Sequence, residues 1–373
     1  MGLSVLPKYK KLGLPKYLQV KHSLKTDIER GLFEADAKLP AIQDMAKQFG
    51  VSYITMRQAI KTLEEDGLVK SISGRGTYIT NPLPMRSAPL VRRIKVVIAG
   101  ELNRIGEYES ELIHHIGAIM QEDSTEVVLV SSLKTPIIDT VDDDTDCYYI
   151  IAPLEDAVPE LSEMAQSGHK FVVIGASWEG EQPFFCVDSS NYDAAVQAVE
   201  YLWESGHRKI GFIGDLRFKA KNITDRYNGF CDAMHNLGVT DFAKWSMDCR
   251  DNTEPINMGD QHNSILRLLS SSNRPTAVFS PSIYLVASIY EISRNLGIRI
   301  PEDLSIIGFD DYKSTALLNP LLTTFRQPLA RMVKTARDYT HEMIMQNTIK
   351  TDSILIPCTF IERASVKPVS LQP

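Results

Sequence analysis

Cysteine is scarce in this chain and long apolar runs are missing, and each absence removes a class of protein. The five cysteines, Cys147, Cys186, Cys231, Cys249 and Cys358, are odd in number and form no Cys-x-x-Cys pair. That excludes a disulfide framework and argues against a zinc site, leaving reduced thiols as the expectation. No stretch approaches the roughly 18 apolar residues of a membrane span. Residues 1–16 carry lysines and prolines where an export signal would carry an apolar core. A cytoplasmic protein with no membrane partner is expected.

Catalytic signatures are missing as well. No Gly-x-Gly-x-x-Gly follows the strand pattern at Ile94–Ala99, the glycine-containing segment Ile210–Gly214 lacks a P-loop lysine, and no Gly-x-Ser-x-Gly elbow occurs. The adjacent His114 and His115 point to different sides of a helix, and Asp142-Asp143-Asp144 reads as a solvated acidic loop. No cofactor, no metal and no enzyme activity are expected.

What is present divides into two parts. The 373 residues suffice for two or three domains, and a 43% apolar content permits a large core. The net charge of −7 is unevenly spread: residues 1–93 hold 16 Lys and Arg against 8 Asp and Glu, a balance of +8, and the remainder carries −15. A basic head on an acidic body suits a phosphate-binding module beside a domain that meets water.

In the head, Tyr17, Val20, Leu24 and Ile28 recur at helical spacing, with Gly31 as a C-cap. Ile42, Met45, Ala46 and Phe49 mark a second helix ending at Gly50. Met56, Ala59, Ile60 and Leu63 mark a third, with Ser52 as its N-cap. Helices this short need each other's apolar faces. With the third helix so oriented, Tyr53, Thr55, Arg57, Gln58 and Lys61 face outward: an Arg for guanine, a Gln for adenine, a Lys and hydroxyls for phosphate. Taken alone, this face fits an ordinary solvated surface equally well. Two strands follow, Leu68–Ile72 and Thr77–Thr80, joined by a turn in which Gly74 and Gly76 flank an exposed Arg75. An arginine at a hairpin tip can reach phosphates or a minor groove, and it tips the balance toward DNA.

Lys38-Leu39-Pro40, Gly50-Val51-Ser52, Thr55 with Arg57-Gln58-Ala59, Leu63, Asp66-Gly67-Leu68 and Gly74-Arg75-Gly76-Thr77-Tyr78 occur in that order. Through them residues 15–80 resemble the winged helix-turn-helix domain of GntR-type transcription regulators. The resemblance implies DNA contacts from Ser52, Thr55, Arg57, Gln58, Gly74, Arg75 and Gly76, and the outward face of the third helix adds Tyr53 and Lys61. Two residues depart from the family: Tyr53 stands in place of an arginine, and Ala41 in place of the serine that caps the second helix. A different operator and a weaker second helix are expected.

Pro82, Pro84 and Pro89 then interrupt both helix and sheet, so residues 82–93 read as a linker between a head at 1–81 and a body at 94–373. In the body, short apolar runs at Ile94–Ala99, Val127–Val130, Tyr148–Ala152, Phe171–Ile174, Ile210–Ile213, Ala277–Phe279 and Ser305–Phe309 alternate with helical patterns. These include Ala194–Ser205, Arg226–Leu237 and Ile283–Leu296. Continuous apolar strands between helices predict parallel sheets covered on both faces, here an α/β body of two doubly wound lobes with its ligand at the strands' carboxyl ends.

Val187 to Gly214, Arg226 to Phe230, Pro275 to Phe279, Ile300 to Asp311 and Asn319 to Pro328 resemble, in order, the effector domain of LacI/GalR-type regulators, a relative of periplasmic sugar-binding proteins. The resemblance places Asp193, Arg226 and Asp310 at the small-molecule site, where carboxylates and a forked guanidinium suit sugar hydroxyls. Read as residues alone, Asp193 also fits a helix cap, Arg226 an ion pair with Asp225, and Asp310 a turn. Ser280-Pro281-Ser282 stands where the family carries Asn-Asp, so either the effector is a different or less polar sugar or the pocket does not bind sugar. Together the two resemblances imply a ligand-responsive regulator, a repressor of carbohydrate genes that binds operator DNA as a homodimer and is released by a sugar-like effector. The body alone also fits a sugar-binding protein of a transport or sensing system; the basic winged head opposes that reading.

Overall fold

The computed structural model describes residues 15–29, 37–72, 75–80, 91–98, 106–132, 136–178, 180, 182–216, 220–247 and 258–369. Gly31, Gly74, Cys249, residue 81 and residues 82–90 of the expected linker lie outside them. The chain divides into two compact units, Met1–Leu90 and Val91–Pro373.

In the first unit α1 (Lys16–Glu29), α2 (Ile42–Gln48) and α3 (Tyr53–Glu65) pack Val20, Leu24, Met45, Met56, Ile60 and Leu63 into one core. α3 starts where the Ser52 Oγ accepts the Thr55 amide at 3.1 Å, satisfying a donor that the helix leaves open. At the start of α2, Ala41 makes no side-chain cap bond. The wing is the antiparallel pair β1 (Val69–Ile72) and β2 (Gly76–Ile79), with Ile72 opposite Gly76.

The second unit has two lobes. The first is a parallel six-stranded sheet in the order β12-β7-β6-β5-β3-β4: β3 is Arg93–Ile98, β4 Glu126–Ser131, β5 Cys147–Ile151, β6 Phe171–Ile174, β7 Cys186–Ser189 and β12 Ser353–Ile356. Helices α4 (Glu107–Glu122) and α10 (Leu329–Gln346) pack against one face, and α5 (Val158–Gln166) against the other. The second lobe is a parallel three-stranded sheet, β10-β9-β8, made of Ser305–Ile307, Ala277–Phe279 and Ile210–Phe212. α6 (Asn191–Glu204) and α7 (Lys221–Asn236) cover one of its faces, α8 (Met258–Ser270) and α9 (Ile283–Leu296) the other. β11 (Thr324–Arg326) and β13 (Thr359–Ile361) form a small antiparallel pair beside it.

The chain passes between lobes after β7, after β11 and after β12. These crossings are laced together: the Ser189 hydroxyl donates to Gln327 Oε1 at 2.7 Å, and the Ser190 amide donates to the Ile356 carbonyl at 2.9 Å. Two doubly wound lobes are what the alternating pattern predicts. One boundary moves: α7 begins at Lys221, so Arg226 sits in its second turn instead of opening it.

Candidate functional site

A cleft of about 370 Å³ lies between the two lobes of the body. It gathers the carboxyl ends of their strands: Ala152 follows β5, Gly175 follows β6, Pro281 follows β9, Asp310 follows β10 and Gln327 follows β11. Backbone there is held in rare conformations. Asp310 and Ala152 are non-glycine residues with φ of 75° and 42°, a left-handed geometry that surrounding contacts must enforce. The Asp310 carbonyl accepts from the Thr324 hydroxyl at 2.8 Å, and its carboxylate from Gln327 Nε2 at 2.6 Å.

Arg226 is the centre of the cleft. It is only 2% exposed, yet no carboxylate is hydrogen-bonded to it among the described residues. Its Nε donates to Asn191 Oδ1 at 2.9 Å, its Nη1 donates to the Pro281 carbonyl at 2.8 Å, and its guanidinium carbon lies 3.4 Å from the centre of the Phe309 ring. Nη2 has no hydrogen-bond partner. Asn191 is held in turn, donating its Nδ2 to Asp188 Oδ2 at 3.0 Å. The Asp188 carboxyl is buried, which pushes it up to about 7 although the nearby Arg226 pulls the other way. Burial likewise raises Asp310 above the ordinary carboxyl range, opposed by Arg226.

Two further polar atoms are left open at the same place, the hydroxyls of Tyr108 and Tyr312. The Tyr312 hydroxyl is near enough to Asp310 to favour its ionised form, but it meets no group in hydrogen-bonding geometry. Tyr108 enters the cleft because position 175 is glycine: a Cβ there would lie 2.0 Å from the tyrosine oxygen, and the backbone sits at φ 85°. Tyr108 packs against the cores of both lobes. Buried polar groups are nearly always paired in a native structure, so three open ones on the lining of a single cleft make it the candidate binding site.

Of the residues assigned to this site from sequence, Arg226 and Asp310 line the cleft, whereas Asp193 is exposed in the first turn of α6 and does not. Asp188 and Asn191 carry the polar network there instead. Asp225 pairs with Lys221, leaving Arg226 to the cleft. Pro281 fills part of the position of the absent Asn-Asp and contributes its carbonyl as the acceptor for Arg226. Sequence reasoning also missed Tyr108, Tyr312 and Gln327. Gln327 sits inside the quoted Asn319–Pro328 motif, but the two tyrosines carry no sequence signal.

On the head, Tyr53, Arg57, Gln58 and Lys61 form an exposed strip along α3. Ser52 and Thr55 are spent differently: their hydroxyls bond each other at 2.8 Å in the helix cap. Arg75 is exposed at the wing tip, where its carbonyl accepts from the Tyr78 hydroxyl at 3.2 Å. Gly76 has φ 115°, a conformation that calls for glycine; an added Cβ would meet only the far end of the flexible Lys38 side chain, which can give way.

Comparison with known proteins agrees with both halves. Residues 16–79 match the bacterial regulatory proteins of the gntR family, and residues 199–366 match the periplasmic binding protein-like domain. The arabinose metabolism transcriptional repressor of Geobacillus stearothermophilus is 27% identical over 95% of this chain and 99% of its own length. Among solved structures, a putative LacI transcriptional regulator from Bacillus cereus subsp. cytotoxis superposes with a TM-score of 0.66 at 17% identity, covering 75% of this chain and all of that one. A LacI-family regulator from Enterococcus faecium with bound ribose does so at 0.60 and 21% identity, over 74% of this chain and all of its own. Among the described residues no helix is long and apolar enough to cross a membrane. The chain joins a gntR-family DNA-binding head to a periplasmic-binding-protein-like body, the make-up of a transcription regulator.

Proposed function

We propose that this regulator represses carbohydrate-utilisation genes in the cytoplasm, binds a two-fold operator as a homodimer, and is released when a small sugar-like effector occupies the cleft. The observation that carries the effector reading is the convergence of three unpartnered polar atoms, Arg226 Nη2 and the Tyr108 and Tyr312 hydroxyls, beside the Asp310 carboxylate. A polyol supplies both donors and acceptors, so it can satisfy the open guanidinium nitrogen, the hydroxyls and the carboxylate together. The full-length relative is named for arabinose metabolism, and a structural neighbour holds ribose; both sugars belong in the first screen. Dimerisation through the body draws support from Leu317 and Leu321, large apolar side chains left exposed on the second lobe.

The experiment is a thermal-shift screen of the full chain against pentoses, hexoses and their phosphates, with operator release measured for each hit. A stabilising sugar should lose its effect in Arg226→Ala while that variant still binds DNA. Undiminished stabilisation in Arg226→Ala would remove Arg226 from the site.

A further inference from the structure

The exposed strip of α3 includes a side chain to which no DNA-reading role has been given. Ile54 is 78% exposed, stands outside the head's core cluster, and occupies the first turn of the recognition helix. Its outward neighbours are Tyr53, Arg57, Gln58 and Lys61, all exposed. Isolated exposed aliphatics are common on protein surfaces; placement gives this one meaning. It sits one helical turn before Gln58, at the end of a recognition helix that approaches base edges in a helix-turn-helix complex. The two hydroxyls of the same turn, Ser52 and Thr55, are bonded to each other in the cap, which leaves Tyr53 and Ile54 as the groups projecting there.

The occupant that fits an aliphatic side chain in this position is thymine. Among the four bases it alone presents a methyl group in the major groove. An isoleucine on a helix holds essentially one χ1 rotamer, so little side-chain freedom is lost on contact. The +8 balance of residues 1–93 supplies the attraction that brings a duplex to this surface. We infer that Ile54 is a specificity-determining residue that packs on a thymine C5-methyl in each operator half-site, beside the polar readout by Arg57 and Gln58. The inference rests on the reading of the head as operator-binding and adds to it a contact that hydrogen bonding does not provide.

Deoxyuridine tests this because it deletes the thymine methyl and leaves every hydrogen-bonding group in place. The full chain is used to enrich duplexes from a random-sequence library, and the enriched duplex is remade with each thymine replaced singly by deoxyuridine. The expected result is one thymine per half-site whose replacement weakens wild-type binding about fourfold, the factor one buried methyl is worth. That penalty should vanish in Ile54→Ala and persist in Ile54→Val. A penalty that survives in Ile54→Ala overturns the inference, as does a scan with no sensitive thymine. Equal loss of affinity for the enriched and for unrelated duplexes in Ile54→Ala overturns it too, by making the residue structural. Failure of the wild type to enrich any duplex overturns the operator reading itself, and this inference with it.

Discussion

Arg226 shows how a buried side chain keeps one donor unpaired. A buried guanidinium is costly unless its charge is answered and its donors are bonded. Here Asp188 and Asp310 answer the charge through space, while a neutral amide and a backbone carbonyl take two of the donors. Nη2 is left open toward the cleft. The arrangement has a pH signature. Burial pushes the Asp188 carboxyl up to about 7, above its unfolded value of about 4. A carboxyl raised on folding contributes stability that is complete below its unfolded pKa and lost as pH rises through the folded one. His207 and His341, held low by burial, act oppositely over part of that range, so the readout is a difference between proteins. The stability of Asp188→Asn relative to wild type should improve steadily from about pH 5 to about pH 7.5. A difference that does not change with pH in urea unfolding would contradict this account of Asp188.

At the scale of elements, the two helices of the reading motif differ in how they start. α3 has a serine cap bonded to its third amide, and α2 starts after an alanine without one. Ala41→Ser is expected to stabilise α2 by about 1 kcal/mol, and Ser52→Ala to cost α3 a similar amount. Hydrogen exchange of the α2 and α3 amides measures both changes. Legibility from sequence follows the same physics. β3, β5 and β6 lie inside the six-stranded sheet, and β8, β9 and β10 are buried along their whole length in the three-stranded one, so all six read as apolar runs. β7 was missed as a strand because it ends in Asp188 and Ser189, polar residues placed there for the cleft. β12 escaped because it is an edge strand whose first three residues are exposed. α7 began too late in the reading because its first turn, from Lys221 to Asp225, has only Ile223 as an apolar mark. Tyr108 and Tyr312 were invisible for a different reason: an isolated tyrosine looks the same in sequence whether its hydroxyl is satisfied or open.

For the whole molecule, the proposed effector control would act through the two lobes and the three laced crossings that join them. Ser189, Gln327 and Ser190 tie the crossings to one another, and Gln327 also holds Asp310 in the cleft wall. Across the cleft the Ser314 hydroxyl donates to the Glu107 carboxylate, joining the start of α4 to the segment after β10. On the proposed reading, an effector seated on Arg226 and Asp310 would touch both the wall and the crossings, so the residues that bind it would also set the lobe arrangement it favours. A conformational change arises only from differential affinity, and linkage makes that affinity reciprocal: an effector that weakens operator binding must itself bind the operator complex more weakly, by the same factor. The decisive measurement is therefore the affinity of the screened effector for the free protein and for the operator-bound protein under identical salt. The account predicts weaker effector binding in the complex by the factor by which saturating effector lowers operator affinity; equal affinity in the two forms would contradict it.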